Sequence, residues 1–471
     1  MNRREAMGRI VVGAAGAALG LGPAAAAMRA AAEGNEPVNV ILCMTDDQGW
    51  GDAGYHGHPV LKTPNLDALA AAGLRMDRFY AAAPVCSPTR GSCLTGRHPY
   101  RYGIFFANVG HLPKEEFTLA EALQGRGYAT GHFGKWHLGT LTRTERDSNR
   151  GGPAGAAHYA PPWERGFQEC FSTEAKVPTW DPMLKPGTAE PYGTAYWTGP
   201  GVKAADNLQG DDSRVLMDRA IPFIRRAVAA PRPFLAVIWF HTPHEPVRGG
   251  QPFLDMYKDV SDDGVRHYYA AVTAMDAQVG RLRKELRDLG AAGDTMLWFS
   301  SDNGPEHKSG PGSAGPFRGR KRDLYEGGVR VPGILEWPAR VRTPRTTQVP
   351  CSSSDILPTV LDVVGHPMTG APEPRDGLSL VPLLDGRMTQ RPRPIAFESG
   401  KQLALTDNRW KLISADGGRT YELYDLVADP AEARNVAADY PDVVASMRGT
   451  LLGWRASCDA SRQGKDYRPP G

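Results

Sequence analysis

Val38-Asn39-Val40-Ile41-Leu42-Cys43-Met44 is an unbroken apolar run of buried-strand type, and it empties into Thr45-Asp46-Asp47-Gln48-Gly49. Two adjacent carboxylates at a strand tip suggest a bound cation. A polar turn is the plainer reading, because Asp and Gly are turn formers. What decides the fold is that the same arrangement recurs along the chain.

Gly127-Tyr128-Ala129-Thr130-Gly131-His132-Phe133 reads as a strand that releases Gly134-Lys135-Trp136-His137-Leu138-Gly139. Pro233-Phe234-Leu235-Ala236-Val237-Ile238-Trp239-Phe240 empties into His241-Thr242-Pro243-His244-Glu245-Pro246, and Thr295-Met296-Leu297-Trp298-Phe299-Ser300 into Ser301-Asp302-Asn303-Gly304. Between these runs lie helical patterns. One opens at Thr63 as cap, with Leu66 and Leu69 on one face, and ends at Gly73; others span 118–125, 213–229 and 267–289. Strands separated by helices predict an α/β fold with a large, mostly parallel sheet flanked by helices. In such sheets ligands gather beyond the carboxyl ends of strands, where Asp46, Lys135, His244 and Asp302 all fall, so one site can collect them.

A second stretch carries the densest local instruction: Pro84-Val85-Cys86-Ser87-Pro88-Thr89-Arg90-Gly91-Ser92-Cys93-Leu94-Thr95-Gly96-Arg97. Ser87 suits an N-cap and Pro88 the first helical position, so a short helix is expected to start there and stop at Gly96. Cys86 would then sit at the helix mouth, where backbone N–H groups stabilise negative charge, with Arg90 one turn on as a fixed positive fork. Taken alone, Cys86 is more readily an ordinary buried thiol.

The Cys-x-Pro-x-Arg core followed by Thr-Gly-Arg resembles the signature of the type I sulfatases, in which the cysteine is oxidised after synthesis to formylglycine. Cys93 stands where that family usually has a bulky aliphatic residue and is expected to pack as a small apolar side chain. Asp46-Asp47-Gln48-Gly49 resembles the family's calcium motif, and the segment around Lys135 and His137 its second signature. Phe317 to Arg330, with Lys321 four residues before the aromatic of Tyr325-Glu326-Gly327-Gly328, is similar to a further block. These blocks occur in the family's order over essentially the whole mature chain.

The resemblance implies an alkaline-phosphatase-like fold and a sulfuric ester hydrolase of arylsulfatase or N-acetylgalactosamine-sulfatase type. It implies that Asp46, Asp47, Asp302 and Asn303 bind one Ca²⁺ next to residue 86, a set of hard oxygen donors suited to that ion. It implies that the hydrate of formylglycine made from Cys86 is the nucleophile, assisted by Arg90. His137 would take the proton of the second hydroxyl, and Lys135 would bind the sulfate. His244 and Lys321 would serve the departing oxygen, His244 being preferred to His241 because Pro-His-x-Pro matches the family better. The substrate would be a sulfated carbohydrate or an aryl sulfate, and a formylglycine-generating maturation enzyme would be a required partner. The runner-up readings are a phosphate or phosphonate ester hydrolase of the same fold, and a carbohydrate-binding protein that keeps an unmodified Cys86.

Length and composition agree with a globular chain: 471 residues, 41% hydrophobic and 23% charged. A net charge of +3 without a basic block argues against nucleic acid as partner. Residues 1–32 read as an export signal. Arg3-Arg4 precede an apolar stretch from Ile10 to Ala27, and Ala30-Ala31-Ala32 offers a cleavage site, so the chain is expected in the periplasm or secreted, without a stable membrane anchor. The paired arginines resemble a twin-arginine signal, and an ordinary secretory signal stays open because Glu5-Ala6-Met7 lacks the usual Phe-Leu. Residues 33–390 would form the catalytic domain and 391–471 a small subdomain with an antiparallel sheet and a helix from Pro441. Six scattered cysteines show no zinc spacing and no disulfide framework, though a bridge such as Cys351 to Cys458 stays open. The region 141–212, rich in Gly, Pro, Tyr and Trp, is expected to form long loops. Its aromatics Trp163, Trp180, Tyr192, Tyr196 and Trp197 are expected to pin those loops rather than to line a sugar site.

Overall fold

The computed structural model describes residues 37–306, 311–368 and 370–467, so the export-signal reading of residues 1–32 lies outside the described residues. From Pro37 onward the chain forms one compact unit. Among the described residues no helix is long and apolar enough to cross a membrane.

The apolar runs become the centre of a ten-stranded sheet. Its strands are β1 (Asn39–Thr45), β2 (Leu74–Met76), β3 (Ala129–Lys135), β4 (Glu169–Thr173), β5 (Trp197–Gly199), β6 (Val202–Lys203), β7 (Phe234–Trp239), β8 (Thr295–Ser301), β9 (Gly333–Glu336) and β10 (Arg345–Thr347). The spatial order is β10-β2-β9-β8-β1-β7-β3-β4-β5-β6. The five inner strands β8-β1-β7-β3-β4 are parallel, and antiparallel neighbours flank them on both sides.

Side chains alternate across the pleat, so one strand feeds two cores. Val40, Leu42 and Met44 point to one face with Leu235, Val237 and Trp239, while Ile41 and Cys43 point to the other with Phe234, Ala236 and Ile238. The first face is covered by α2 (Cys86–Thr95), α3 (Leu119–Gly125) and α6 (Ile356–Val363), and the second by α1 (Pro64–Ala72), α4 (Asp212–Ala229) and α5 (Asp263–Asp288). Near-continuous apolar strands need helices on both faces, which is the arrangement found.

Local chemistry sets the helix ends. Thr118 caps α3 through a capping box with Glu121, and Asp211 accepts the N–H groups of Ser213 and Arg214 at the head of α4. Thr63 departs from expectation: its hydroxyl donates to Asp67 Oδ1 instead of capping α1. The helix of the signature stretch also begins earlier than expected. Cys86 is its first residue and Val85 its N-cap, so Ser87 and Pro88 lie inside the first turn, and Ser87 Oγ is buried without a partner. Gly96 ends the helix at φ 69°, a left-handed position suited to glycine.

The region 141–212 is more regular than its composition suggests, since it contributes β4, β5 and β6. Tyr196 and Trp197 are buried and pin the loops as expected, the former donating to Asp212 and the latter to Asp147 Oδ2.

A second sheet of β11 (Ile395–Ser399), β12 (Gln402–Thr406), β13 (Trp410–Ser414) and β14 (Glu422–Asp425) is fully antiparallel, and α7 (Pro441–Arg462) packs on it. Buried charges join this part to the large sheet region. Lys411 Nζ bonds Glu326 Oε1 at 3.0 Å and pairs with Glu432 Oε1 at 3.1 Å. Beyond α7 the chain reaches back to the signature stretch, where Asp466 pairs with Arg97 and Tyr467 donates to Glu116 Oε1 at 2.7 Å. All six cysteines are free, including Cys351 and Cys458.

Candidate active site

The carboxyl ends of β1, β3, β7 and β8 converge, as expected of a parallel sheet whose ligands gather there. β1 delivers Asp46 and Asp47, β8 delivers Asp302 and Asn303, and β3 delivers Lys135 and His137. The hydrogen bond from Asp47 N–H to Asp302 Oδ1 at 3.1 Å ties the tips of β1 and β8 together. α2 brings Cys86, 2% exposed, and Arg90, fully buried.

Every acid here faces a base. Lys135 Nζ lies 2.6 Å from Asp46 Oδ2. The Arg90 guanidinium donates to Asp302 Oδ2 from Nε at 3.1 Å and from Nη2 at 2.6 Å, and to the Lys135 carbonyl from Nη1 at 3.1 Å. Lys321 Nζ sits between both oxygens of Asp47, at 2.6 and 2.7 Å. Asn303 Nδ2 donates to Asp47 Oδ1 at 2.7 Å. Buried charges persist only with partners, so the acids and bases fix one another.

Burial works to raise the carboxyl of Asp46, but Lys135, His244 and Arg90 overcome it and hold it well below the usual range. Asp302 goes the other way: burial and then the like charge of Asp46 push it up to about 7. Burial raises the thiol of Cys86, so as a cysteine it sits protonated; burial also works against the ammonium of Lys321, but Asp47 overcomes it and holds the lysine charged.

The donor set suits a hard cation. Ligand atoms of Asp46, Asp47 and His244 lie within 4.8 Å of one another, as do those of Asp46, Cys86 and Asp302. Asp46 Oδ1 and Asn303 Oδ1 are buried and lack any hydrogen-bond partner. Two orphaned oxygens in one cluster of carboxylates are what an oxygen-coordinated ion would satisfy.

The two histidines differ in which nitrogen is free. His137, at φ 57°, bonds Asn108 Oδ1 through Nε2 at 3.0 Å, leaving Nδ1 buried and unpartnered. Burial, then Lys135 and Arg90, hold it well below the usual histidine range, so Nδ1 offers a lone pair. His244 Nδ1 donates to the Glu245 carbonyl at 2.8 Å, and Nε2 faces Asp47 Oδ2 at 3.6 Å. Burial lowers His244 to about 4, with Asp47 and Asp46 opposing. Because Nδ1 must carry the proton bonded to the carbonyl, donation from Nε2 requires the imidazolium form.

Cys86, Lys135, His137, His244 and Lys321 open onto one cavity of ≈ 290 Å³. His241 does not line it. It is buried between Asp212 Oδ2 at 2.8 Å and Thr173 Oγ1 at 2.7 Å. The expected residues thus come together, Arg90, Asp46, Asp47, Asp302 and Asn303 packing behind the cavity wall. Sequence reading missed Phe106, Asn108, Asn149 and Lys176, which also line it. Lys176 was findable, since it follows the tip of β4 and the rule used for the other strands applies there, but β4 itself was not recognised.

The comparisons agree with this geometry. The Sulfatase family profile matches residues 38–366, and a profile for the N-sulphoglucosamine sulphohydrolase C-terminal region matches residues 315–456. The chain is 36% identical to human arylsulfatase A over 476 residues, covering 90% of this chain and 89% of that protein. It is 35% identical over 430 residues to N-acetylgalactosamine-6-sulfatase of Sus scrofa, covering 85% of this chain and 76% of the relative. Among solved structures, that of Ps i-CgsB superposes with a TM-score of 0.77 at 25% identity, covering 89% of this chain and 93% of the other.

Proposed function

This chain belongs to the sulfatase family and is by that membership a hydrolase of sulfate esters, and we propose that its substrates are sulfated sugars, with Cys86 converted to formylglycine and Ca²⁺ as cofactor. The observation that carries the reading is the convergence of Lys135, His137, His244 and Lys321 on the cavity that Cys86 opens into, with the two orphaned oxygens of Asp46 and Asn303 behind it. The name of N-acetylgalactosamine-6-sulfatase supports a sugar as the sulfated group. The loop aromatics do not, because Trp163, Trp180, Tyr192, Tyr196 and Trp197 are absent from the cavity wall.

Asp46, Asp47, Asp302 and Asn303 would hold the cation, which when bound supplies positive charge to the ester oxygens. Formylglycine at position 86 supplies, as its hydrate, the hydroxyl that attacks sulfur. Arg90 sets a permanent positive charge one turn into α2, behind residue 86, and fixes the orientation of Asp302. Lys135, anchored on Asp46, presents an ammonium to the sulfate oxygens. His137 accepts a proton at Nδ1, its ring held by Asn108. Lys321 keeps its charge on the cavity wall, and His244, which burial lowers to about 4, takes the imidazolium form when the negative charge of a bound ester favours it, and then donates from Nε2 to the departing oxygen. Burial keeps water from screening these charges.

The proposal includes export: residues 1–32 carry the sequence features of a signal, and the maturation enzyme is a partner supplied by the host. Turnover of sulfated monosaccharides and glycosaminoglycan fragments by the matured protein, run beside paired aryl sulfate and aryl phosphate esters, tests the substrate class. Sugar-sulfate turnover well above phosphate turnover is expected. Preference for the phosphate or phosphonate ester would replace the reading, and an unmodified Cys86 in an inactive, sugar-binding protein would reduce it to a binding role.

A further inference from the structure

Four cations line the catalytic cavity: Lys135, Lys321, Arg322 and Lys176. Three are neutralised, Lys135 by Asp46, Lys321 by Asp47 and Arg322 by Glu306, whose Oε2 accepts from Nη2 at 3.0 Å. Lys176, half-buried, forms no ion pair or hydrogen bond among the described residues. A lysine left unpaired on the wall of the catalytic cavity is a standing attraction for an anion.

This lysine is not a loose surface side chain. It stands three residues beyond Thr173, the last paired position of β4, between Ala175 and Val177, both buried. The turn beneath it is stapled from several directions. Thr173 Oγ1 donates to the Ala175 carbonyl at 2.8 Å and bonds His241 Nε2 at 2.7 Å, with Asp212 holding the other ring nitrogen. The Thr173 and Glu174 carbonyls accept from the N–H groups of Trp136 and His137, each at 2.9 Å. The Thr173–His241–Asp212 chain therefore works as a positioning network that presents Lys176 in register with His137. Of the acids on the same cavity, Glu306 is taken up by Arg322 and Lys321, and Glu245 forms no ion pair with Lys176 among the described residues.

We propose that Lys176 determines specificity by binding a second anionic group, a carboxylate or a further sulfate, carried near the scissile ester on the same sugar or its neighbour. Phe106, 40% exposed, and Asn149 lie on the same cavity and give the ring an apolar surface and an amide to meet. The inference rests on the sugar-sulfate reading of the site.

Kinetics of matured wild type, Lys176→Gln and Lys176→Arg test it. The substrates are a monosulfated hexosamine, the same sugar with a second sulfate, and a disaccharide that adds a uronic acid to the monosulfated unit. The expected result is that Lys176→Gln lowers the ratio of kcat/KM on doubly anionic to singly anionic substrate by about tenfold to a hundredfold, the worth of one charged hydrogen bond. The loss should appear in KM, and Lys176→Arg should retain most of the wild-type ratio. A fall confined to the disulfated sugar names sulfate as the second group, and one confined to the disaccharide names the carboxylate. A ratio that stays within about twofold in Lys176→Gln, while wild type turns over sugar esters, overturns the assignment and leaves the sugar reading intact. A wild type that neither hydrolyses these sugars nor is inhibited by them on nitrophenyl sulfate overturns the substrate class and this assignment together.

Discussion

The guanidinium of Arg90 and the carboxylate of Asp302 are locked together in full burial, two nitrogens on one oxygen at 2.6 and 3.1 Å. The pairing leaves Asp302 Oδ1 to the backbone of Asp47, so one residue is shared between the charge behind residue 86 and the acidic cluster. Arg90 thereby links the signature helix to the strand tips that would hold the cation.

Asp302→Ala should lower calcium content and rate together, because a site with few anionic ligands loses affinity when one goes. It should also destabilise the metal-free protein by about 1–3 kcal/mol, since buried Arg90 loses its two bonds to Asp302 and keeps only the Lys135 carbonyl and the more distant Asp46 at 3.7 Å. Metal analysis of the purified variant, with thermal unfolding in chelator, reads both effects. Unchanged calcium would remove Asp302 from the ligand set.

Cys86 should be recovered as formylglycine from a host that carries the maturation enzyme, and Cys86→Ala should abolish turnover. Mass spectrometry of the peptide spanning Cys86, beside the rate of the variant, checks this. A fully active Cys86→Ala protein would sink the mechanism.

His244→Ala ought to depress sugar-sulfate turnover at least about tenfold more than nitrophenyl-sulfate turnover, because an alkoxide leaves less readily than a phenoxide and depends more on a proton donor. Equal losses on both substrates would argue that His244 does not protonate the leaving group.

Stability should fall in mild acid through His98. Burial lowers His98 to about 4, with Asp376 opposing and Arg101 reinforcing, and its Nδ1 accepts the N–H of Tyr100 at 3.3 Å. The unfolded chain takes up this proton near pH 6.5 and the native chain does not until about 4, so stability is complete above 6.5 and is lost as pH descends toward 4, by about 3 kcal/mol at most. Denaturant unfolding from pH 7 to 4.5, compared between wild type and a His98→Gln variant, measures it. Parallel pH curves for the two proteins would assign the acid sensitivity elsewhere.

Arg3→Lys with Arg4→Lys should strand the folded protein in the cytoplasm if export uses the twin-arginine route. Fractionation with an activity assay decides. Normal periplasmic recovery would favour the ordinary secretory signal.

The inner strands β1, β7 and β8 were legible in the sequence because burial on both faces demands unbroken apolar runs, and their tips carried the acids of the site. β4 was not, since Glu169-Cys170-Phe171-Ser172-Thr173 mixes polar and apolar residues, and its neighbour on one side is the short antiparallel β5 rather than another long buried strand. With β4 unrecognised, Lys176 and the Thr173–His241–Asp212 chain had no place in the reading. The start of α2 was misplaced for a different reason. Ser87 and Pro88 carry good cap and first-turn propensities, yet tertiary packing begins the helix one residue before Ser87, at Cys86 itself. Asn108 lacked any local signal, because its role depends on the left-handed turn at His137 bringing Nε2 to it.

The pairing of Arg97 with Asp466 spans 369 positions along the chain. A ribosome delivers Arg97 well before Asp466, with Asp302 and Lys321 emerging in between. The residues that share a cavity with Cys86 reach as far along the chain as Arg322, and in the finished fold Cys86 is 2% exposed. Any enzyme that must reach Cys86 therefore works against a clock set by translation, and the length of chain still to be made is the time it is given.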